Sequence, residues 1–491
     1  MLQSIDARTH EAFGEPLAET TIEEMNQAVA AAAAAADGWA ASDAATRAAL
    51  LRGLADALEG RREALVELAD RETGLGPVRL NGELDRTAFQ LRGFASQAEA
   101  GAPYTFTDDP AVAGAPPAGR PRLTRVRVPV GPVAMFSASN FPFAFSVLGG
   151  DTASALAAGC PVVVKAHPAH PQLSREVFEL ARGVVAAQGL DAGVLQMVQG
   201  GSIELGVALV RHPQIQAVAF TGSFRGGAAL QAECNARAQP IPFYGELGSI
   251  NPVVALPSAL ADKGAELAKT LAGSIAMGCG QFCTSPGVIV VQQDAASQGF
   301  VKAFAEALAA QTPHAMLTPG MRKAFDAGVA RLASHEGVKT LVAVDHASTT
   351  IAPTPLLVET SAETFIGNHA LREEVFGPAA VVVQVRSADE AVQVLKAVGG
   401  SLTVTVWGAE SAGEEAQRIV RAAMQVAGRV LFSGVPTGVA VTAAQHHGGP
   451  WPASTQPFTT SVGYAALDRF LRPVALQDAP EWLLEREGRI C

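Results

Sequence analysis

The sequence predicts an α/β protein whose first large domain is built on a doubly wound parallel sheet. Short apolar runs at 133–136, 162–165 and 217–221 alternate with helical patterns, and strands that alternate with helices form parallel βαβ units. The chain has 491 residues, which is too long for a single core. Its 48% hydrophobic content is sufficient to bury more than one sheet.

The elements before this sheet are expected to be helical through about the first hundred residues. Thr21 and Glu24 have the spacing of a capping box ahead of an alanine-rich run, which favours a helix. A segment rich in Pro, Ala and Gly at 108–121 then interrupts, and residues 122–130 alternate basic and apolar side chains like an edge strand.

The later elements continue the alternation. Further strand-like runs lie at 194–198 and 241–246, and a second α/β region extends from about 251 to 450. The tail that begins "SVGYAALDRF" has strand character. We expect this tail to pair with the 122–130 strand across subunits, which would make a homodimer or homotetramer.

Composition and charge exclude several classes of function. A formal charge of −11 argues against a nucleic-acid-binding face and against anionic membrane surfaces. No basic segment followed by an apolar run begins the chain, and no run of about 18 apolar residues could span a membrane. The cysteines are few and scattered, which is typical of a reducing cytoplasm rather than of a disulfide framework; they are Cys160, Cys234, Cys279, Cys283 and Cys491.

Polar residues follow several of the predicted strands, at the sheet edge where α/β proteins bind ligands. Asn140 could donate to an oxyanion, or it could be a turn residue. Lys165 could reach a ribose or a phosphate, or it could be a surface lysine. Gly222 and Ser223 open a helix whose N-terminus suits a phosphate, although a plain turn would look the same. Glu246 lies in an apolar and glycine-rich stretch, so burial would raise its pKa as suits a general base, or it could be a structural carboxylate.

The stretch "GCGQFCTSPG" places Cys279 and Cys283 four positions apart. A metal clip would require a second Cys or His pair at ligand spacing, and none is present, so we expect no metal. A nucleophile and a pair of buried core thiols both remain open from this stretch alone. His446 and His447 are adjacent elsewhere in the chain, and we interpret them as structural.

Taken in order along nearly the whole chain, these stretches resemble the aldehyde dehydrogenase superfamily. The motifs that carry the resemblance are "SNFPF", "VVVKAHPAHP", "FTGS", "ELGS", "GQFCT" and "EEVFGP". The resemblance implies that Cys283 is the nucleophile, with Cys279 as a second thiol one helical turn earlier. It also implies that Asn140 holds the oxyanion and that Glu246 activates water. Contacts to a nicotinamide cofactor are implied for Lys165, His167, Gly222, Ser223, Glu374 and Phe376.

The resemblance further implies a division into domains. A dinucleotide-binding domain would comprise 1–107 and 129–250, a catalytic domain 251–453, and a small β oligomerisation arm 108–128 and 454–491. No carboxylate follows Lys165 within six residues, and its absence favours NADP over NAD, although NAD stays possible. Arg211 and Arg225 are both candidates for a 2′-phosphate contact, and spacing selects neither.

The C-terminal motifs resemble the NADP-accepting branch of the superfamily. That branch includes enzymes that oxidise α-ketoglutarate semialdehyde to 2-oxoglutarate, which is the activity we expect here. The alternatives are an NADP-dependent long-chain fatty aldehyde dehydrogenase, a CoA-acylating enzyme and a non-catalytic structural relative. Glu246 counts against the CoA-acylating enzyme, and the presence of both Cys283 and Glu246 counts against the non-catalytic relative.

Overall fold

The computed structural model describes residues 1–344, 352–411 and 413–484, so Cys491 lies outside the described part of the chain. The strands of the described residues are, in chain order, β1 (Leu2–Ile5), β2 (Ala12–Leu17), β3 (Thr107–Asp109), β4 (Leu123–Pro129), β5 (Val133–Phe136), β6 (Val162–Ala166), β7 (Leu195–Gln199), β8 (Ala217–Thr221), β9 (Phe243–Glu246), β10 (Val253–Ala255), β11 (Val288–Gln292), β12 (Val338–Val342), β13 (Leu356–Ser361), β14 (Ala379–Val385), β15 (Ser401–Trp407), β16 (Ala427–Leu431) and β17 (Leu471–Gln477).

The α-helices of the described residues are α1 (Ile22–Ala40), α2 (Ala44–Gly60), α3 (Arg62–Thr73), α4 (Pro77–Glu99), α5 (Gly150–Ala158), α6 (Pro171–Ala187), α7 (Ile203–Arg211), α8 (Phe224–Asn235), α9 (Pro257–Ala276), α10 (Ala295–Ala309), α11 (Pro319–Ala333), α12 (Ala362–Gly367), α13 (Ala388–Val398), α14 (Glu414–Val426) and α15 (Glu481–Leu484). The capping box expected at the start of α1 is confirmed, because Thr21 and Glu24 exchange side-chain to backbone hydrogen bonds.

The first large sheet has the order β7-β6-β5-β8-β9, and every neighbouring pair is parallel. Buried clusters pack on both of its faces, so the sheet is doubly wound as predicted. Since the strands are parallel, their carboxyl ends lie at one edge. In the register, Phe136 pairs with Lys165, and Thr221 pairs with Glu246. The residues that follow these ends are therefore brought together.

The second large sheet has the order β12-β13-β14-β11-β10-β15-β16, in which only β12 runs antiparallel to its neighbour. Its central strands are buried on both faces, as their Val-rich sequences require. This sheet is the core of the second α/β region. The stretch that contains Cys283 lies between α9 and β11, at the approach to this sheet.

A third, small sheet has the order β17-β4-β3 and is antiparallel. Leu471–Gln477 of β17 pairs with Leu123–Pro129 of β4 in the same chain. The expectation that the tail pairs with this strand across subunits is therefore wrong. The two segments are close in the fold because Phe470 packs in the core beneath them, so the pairing needs no second copy.

The expectation of helix throughout the first hundred residues is wrong for the N-terminal segment. Strands β1 and β2 form an antiparallel hairpin before α1 begins. The hairpin is attached to α3 because the Ser4 hydroxyl donates to Glu72, a buried carboxylate whose burial raises its pKa to about 7. Among the described residues, none of the helices combines the length and the apolar content that crossing a bilayer demands.

Candidate active site

The turn between β8 and α8 has the features of an anion-binding site. Ser223 is the N-cap of α8, and its side chain accepts a hydrogen bond from the Gly226 N–H. A Cβ at Gly222 would lie 2.7 Å from the Phe220 ring, so a larger residue does not fit. The hydroxyl of Thr221 is buried without a hydrogen-bond partner. A helix N-terminus with a glycine turn and a free hydroxyl fits a phosphate.

Lys165 lies at the end of β6 and is buried, with its Nζ donating to the carbonyls of Ala166 (3.0 Å) and Gly200 (2.7 Å). Burial lowers the pKa of Lys165 to about 8, and the nearby Glu19 carboxylate opposes this shift. Burial also lowers the pKa of His167 to about 3, with His170 and Lys165 adding to the effect, so His167 is neutral. Both predicted residues thus lie at the end of β6, and the structure adds a carboxylate that the local sequence does not contain.

Asn140 follows β5 and is buried against the loop that carries the cysteine. Its Nδ2 donates to the Gln281 carbonyl at 3.0 Å, which leaves its second N–H available. Its own carbonyl accepts from Arg79 at 2.5 Å. The Glu83 carboxylate accepts from the backbone N–H groups of Phe143 (2.8 Å) and Ala144 (3.0 Å), which fixes the rest of the Asn140 loop. The side chain is thereby oriented from both sides.

The loop before Cys283 has an unusual backbone. Gly278, Cys279 and Gly280 have φ angles of 53°, 59° and 64°, in the left-handed region. A Cβ at Gly280 would lie 2.3 Å from the Gly377 backbone, so position 280 requires glycine. Cys279 is buried in the core of the second sheet, and burial raises its pKa to about 12. The expectation that Cys279 lies one helical turn before Cys283 is wrong, because α9 ends at Ala276 and this left-handed run follows.

The structure brings Glu246, Cys283 and His447 into one group, which we call the Cys–His–Glu cluster. His447 Nε2 lies 3.0 Å from Glu246 Oε1 and 3.7 Å from Cys283 Sγ. The three ligand-type atoms all lie within 4.8 Å of one another. The side chains of Glu246 and His447 are 3% and 0% exposed. A partly exposed thiol therefore faces a buried acid and a buried imidazole.

The environment of Glu246 differs from the one expected. Burial raises the pKa of this carboxylate, but the charge and hydrogen bond of His447, together with the hydroxyl of Ser461 at 2.6 Å, outweigh burial and lower the pKa to about 2. The expected raised pKa is therefore wrong. Burial and the negative charge of Glu246 raise the pKa of Cys283 well above its ordinary value. In this state the thiol is protonated, so a thiolate forms only if a neighbour takes the proton.

His447 is the site residue that the sequence interpretation missed when it took the pair of histidines as structural. Thr460 holds it from the C-terminal loop, since the His447 N–H donates to the Thr460 hydroxyl at 2.8 Å. The Ser461 hydroxyl donates to Glu246 Oε2, and the Ser461 backbone N–H donates to the His447 carbonyl. The available signal was the run of small residues around "HHGG", which is similar in composition to the cysteine stretch.

Glu374 and Phe376 lie beside the Cys–His–Glu cluster, in a cavity that Ser249 and Phe282 also line. Burial raises the pKa of Glu374 to about 8, and the Ser249 N–H opposes this shift. A Cβ at Gly248 would meet the Glu374 carboxylate at 2.4 Å, so the glycine permits their contact. A half-buried acceptor that has no ion pair in the described structure suits the hydroxyl groups of a ribose.

The two arginines considered for a 2′-phosphate differ in their contacts. Arg211 forms an ion pair with Glu233 on α8. Arg225 is exposed in the first turn of α8, two residues after Ser223. Arg225 is therefore closer to the phosphate-type turn, and Arg211 is engaged elsewhere.

The fold and this arrangement define a class of protein. The aldehyde dehydrogenase family profile matches residues 2–451, and the chain belongs to that family. It is 45% identical over 448 residues to α-ketoglutaric semialdehyde dehydrogenase 2 of Azospirillum brasilense, covering 91% of this chain and 85% of the relative. It is 38% identical over 484 residues to α-ketoglutaric semialdehyde dehydrogenase of Acinetobacter baylyi, covering 98% of this chain and 92% of the relative.

Solved structures show the same fold. A salicylaldehyde dehydrogenase from Pseudomonas putida G7 superposes with a TM-score of 0.82 at 22% identity, covering 97% of this chain and 94% of the other. An NADP-dependent enzyme of E. coli gives a TM-score of 0.81 at 22% identity over the same shares. At this identity the likeness concerns the fold alone. The predicted α/β class and the family resemblance are confirmed.

Proposed function

We propose that this protein oxidises α-ketoglutarate semialdehyde (2,5-dioxopentanoate) to 2-oxoglutarate, with NADP⁺ preferred over NAD⁺. The observation that carries the reaction is the Cys–His–Glu cluster, in which a thiol, an imidazole and a carboxylate lie within 4.8 Å and next to the Asn140 loop. The two α-ketoglutaric semialdehyde dehydrogenases that cover most of this chain support the substrate.

The first step is activation of the thiol. The Cys283 proton passes to the Glu246 carboxylate, to which the thiol is hydrogen-bonded, while His447 Nε2 holds the carboxylate from 3.0 Å away. The thiolate then attacks the aldehyde carbon and forms a C–S bond, while the carbonyl oxygen becomes an oxyanion.

The oxyanion is held by two N–H groups. One is the second N–H of Asn140, and the other is the backbone N–H of Cys283, which has no acceptor among the described residues. Donors aimed at a developing oxyanion lower the barrier by about 3–4 kcal/mol each. A nicotinamide cofactor held by Glu374 and Phe376 would supply the acceptor for the hydride of the hemithioacetal carbon. Glu246 releases this proton to solvent and then accepts one from the water that hydrolyses the thioester.

The cofactor-binding residues fit a dinucleotide. Gly222 and Ser223 at the start of α8 would hold the pyrophosphate, and the unpaired Thr221 hydroxyl supports an anion there. Glu374 and Phe376 would hold the nicotinamide riboside, while Lys165 and His167 would contact the adenosine side. The preference for NADP⁺ is supported by the segment after Lys165, which contains no carboxylate, whereas the Glu19 carboxylate near Lys165 opposes a 2′-phosphate.

The assembly and location follow from the same features. We propose a homodimer or homotetramer, because within the described residues the outer edge of β17 has no strand partner. The two large sheets and the small β17-β4-β3 sheet support the division into a cofactor domain (1–107 and 129–250), a catalytic domain (251–453) and an arm (108–128 and 454–491). The four cysteines in the described ranges are all free thiols, which supports a cytoplasmic location.

The test is a kinetic panel that follows the absorbance of the reduced cofactor. Purified protein is mixed with NADP⁺ or NAD⁺ and with 2,5-dioxopentanoate, shorter semialdehyde acids or long-chain alkyl aldehydes. We expect the largest kcat/KM with 2,5-dioxopentanoate and NADP⁺, and no turnover in Cys283→Ala. A preference for long alkyl aldehydes would favour the fatty-aldehyde alternative. No turnover with any aldehyde between pH 7 and 9 would favour a non-catalytic relative.

A further inference from the structure

One face of helix α4 is directed at the catalytic region. Arg79, Glu83 and Arg86 are spaced i, i+4 and i+7, so they lie on the same side of the helix. Arg79 holds the Asn140 carbonyl, and Glu83 holds the backbone of the same loop. Arg86 continues this row: its Nη1 donates to the Val439 carbonyl at 2.8 Å, and its guanidinium lies 5.6 Å from the centre of the Phe145 ring.

The other edge of the Arg86 guanidinium is free. Its Nε and Nη2 atoms are buried, and neither has a hydrogen-bond partner. These two N–H groups lie side by side and match the two oxygens of one carboxylate. The same edge of Arg122 binds Asp108 in this way, with distances of 3.0 and 3.2 Å. Buried donors without acceptors destabilise the folded protein, so a ligand that supplies the acceptors would gain binding free energy at this edge.

No carboxylate of the described residues forms an ion pair with Arg86. Glu83 is one turn away on α4, but its Oε1 is engaged by the Phe143 and Ala144 N–H groups. The charge of Arg86 interacts with Glu83 and, more weakly, with Cys283 and Glu246. The guanidinium therefore lies within electrostatic range of the nucleophile.

The walls between Arg86 and the nucleophile loop are aromatic. Phe145 packs edge-on against Phe141, and Phe141 packs edge-on against Phe282, with both pairs of ring centres 5.3 Å apart. Phe282 directly precedes the nucleophile Cys283 in the chain. An aliphatic chain between an aldehyde at Cys283 and an anionic end group at Arg86 would lie along these rings, which match its apolar surface.

We propose that the Nε–Nη2 edge of Arg86 binds the carboxylate of the aldehyde substrate and thereby selects semialdehyde acids over uncharged aldehydes. This assignment rests on the proposed function, since it requires an acid substrate. It adds a specificity-determining residue that the catalytic motifs do not contain. Arg86 contacts the substrate at the end remote from the reacting carbon, so the energy of this contact positions the aldehyde.

Arg429 provides a matched control. It lies on β16 and holds the same loop as Arg86, with Nη1 donating to Gly438 (2.7 Å) and Nη2 to Pro436 (2.6 Å). Only its Nε is free, so it cannot offer a complete side-on edge. Loss of Arg429 would disturb the loop without removing the site proposed for the carboxylate.

The experiment compares 2,5-dioxopentanoate with its methyl ester, which has the same aldehyde and no charge. In the wild-type protein we expect a kcat/KM for the acid that exceeds that for the ester. In Arg86→Met this ratio should fall on the order of 10³-fold, because a buried bidentate contact is lost, while the ester rate changes by a small factor. In Arg429→Met both rates should fall together and the ratio should persist.

Arg86→Lys keeps a charge but not the paired N–H groups, so it should give an intermediate acid-to-ester ratio of kcat/KM. This variant replaces Arg86→Met in the test if Arg86→Met does not fold. Glutarate, a dicarboxylate without an aldehyde, should compete with the acid in the wild-type protein and less well in Arg86→Lys. An unchanged acid-to-ester ratio in the Arg86 variants would overturn the assignment while leaving the proposed function intact. A wild-type protein that does not prefer the acid would instead refute the proposed function.

Discussion

Replacing His447 with leucine tests how the Cys–His–Glu cluster controls the buried carboxylate. The change removes the 3.0 Å contact between His447 Nε2 and Glu246 Oε1 and leaves the Ser461 hydroxyl and the Cys283 thiol as donors to Glu246. The Glu246 side chain is only 3% exposed, so water does not replace the lost partner. We therefore expect the folded protein to lose stability at neutral pH.

The magnitude follows from the pKa of Glu246. Burial raises this pKa, but the charge and hydrogen bond of His447, with the Ser461 hydroxyl, outweigh it and lower the pKa from 4.5 to about 2. A lowering of this size contributes about 3 kcal/mol to the free energy of unfolding. Because the pKa is lowered on folding, the contribution is present above pH 4.5 and is lost as the pH falls toward 2. Removing one partner of a buried pair costs about 3–5 kcal/mol.

The assay is urea unfolding followed by tryptophan fluorescence at pH 7 and near pH 4.5. In His447→Leu the burial of Glu246 is no longer offset, so the pKa of this carboxylate rises above 4.5. The loss in free energy of unfolding relative to the wild-type protein should therefore be larger at pH 7 than at pH 4.5. The matched control is His446→Leu, a half-buried neighbour without a described contact to Glu246, for which we expect less than about 1 kcal/mol. Equal deficits at the two pH values, or equal effects of the two substitutions, would refute the reasoning.

Three further predictions concern the loop, the cofactor and metals. Gly280→Ala should lower kcat about 10²-fold, because its Cβ would press on the Gly377 backbone and displace the nucleophile; Gly273→Ala, which meets nothing within 4 Å, should leave the rate unchanged. Glu19→Gln should raise the ratio of kcat/KM for NADP⁺ over NAD⁺ severalfold, since this carboxylate near the cofactor lysine repels a 2′-phosphate; an unchanged ratio would place the phosphate elsewhere. Micromolar Zn²⁺ should bind the Cys–His–Glu cluster and inhibit the enzyme, and EDTA should restore activity. EDTA alone should change nothing. Zinc binding of equal affinity in Cys283→Ser would exclude this site.

The parts of the site that sequence could predict are those fixed by short-range pattern. The strand runs that precede Asn140, Lys165 and Ser223 are apolar and short, and parallel pairing brings the ends of such strands to one edge. The residues that follow each strand are therefore placed by the sheet itself. The order of the motifs along the chain indicated the family, and the family motif identified Cys283 as the nucleophile.

The residues that sequence could not predict depend on contacts between distant segments. His447 is 201 residues from Glu246, and it meets that carboxylate only because Thr460 and Ser461 position its loop. Arg86 is a charged residue on a helix, which local pattern assigns to solvent; its burial depends on the packing of α4 against the Val439 loop. The direction of the Glu246 pKa could not be derived before its partner was known.

Backbone conformation accounts for the other differences. The left-handed run at 278–280 contains a cysteine at φ 59°, a conformation that is rare for a side-chain-bearing residue and that local propensity would not select. The hairpin of β1 and β2 contains Pro16 and Gly14, which weaken the alternation by which strands are recognised. In both places the surrounding structure determines the local conformation.

The attachment of His447 through Thr460 and Ser461 has a consequence for synthesis of the chain. A growing polypeptide that has emerged only as far as β16 already contains the thiol, the amide and the acid, yet it lacks the imidazole and the hydroxyl groups that orient it. The acid therefore stays without the groups that orient it until residues 447–461 have been synthesised. We expect reactivity of the thiol toward aldehydes to require this segment.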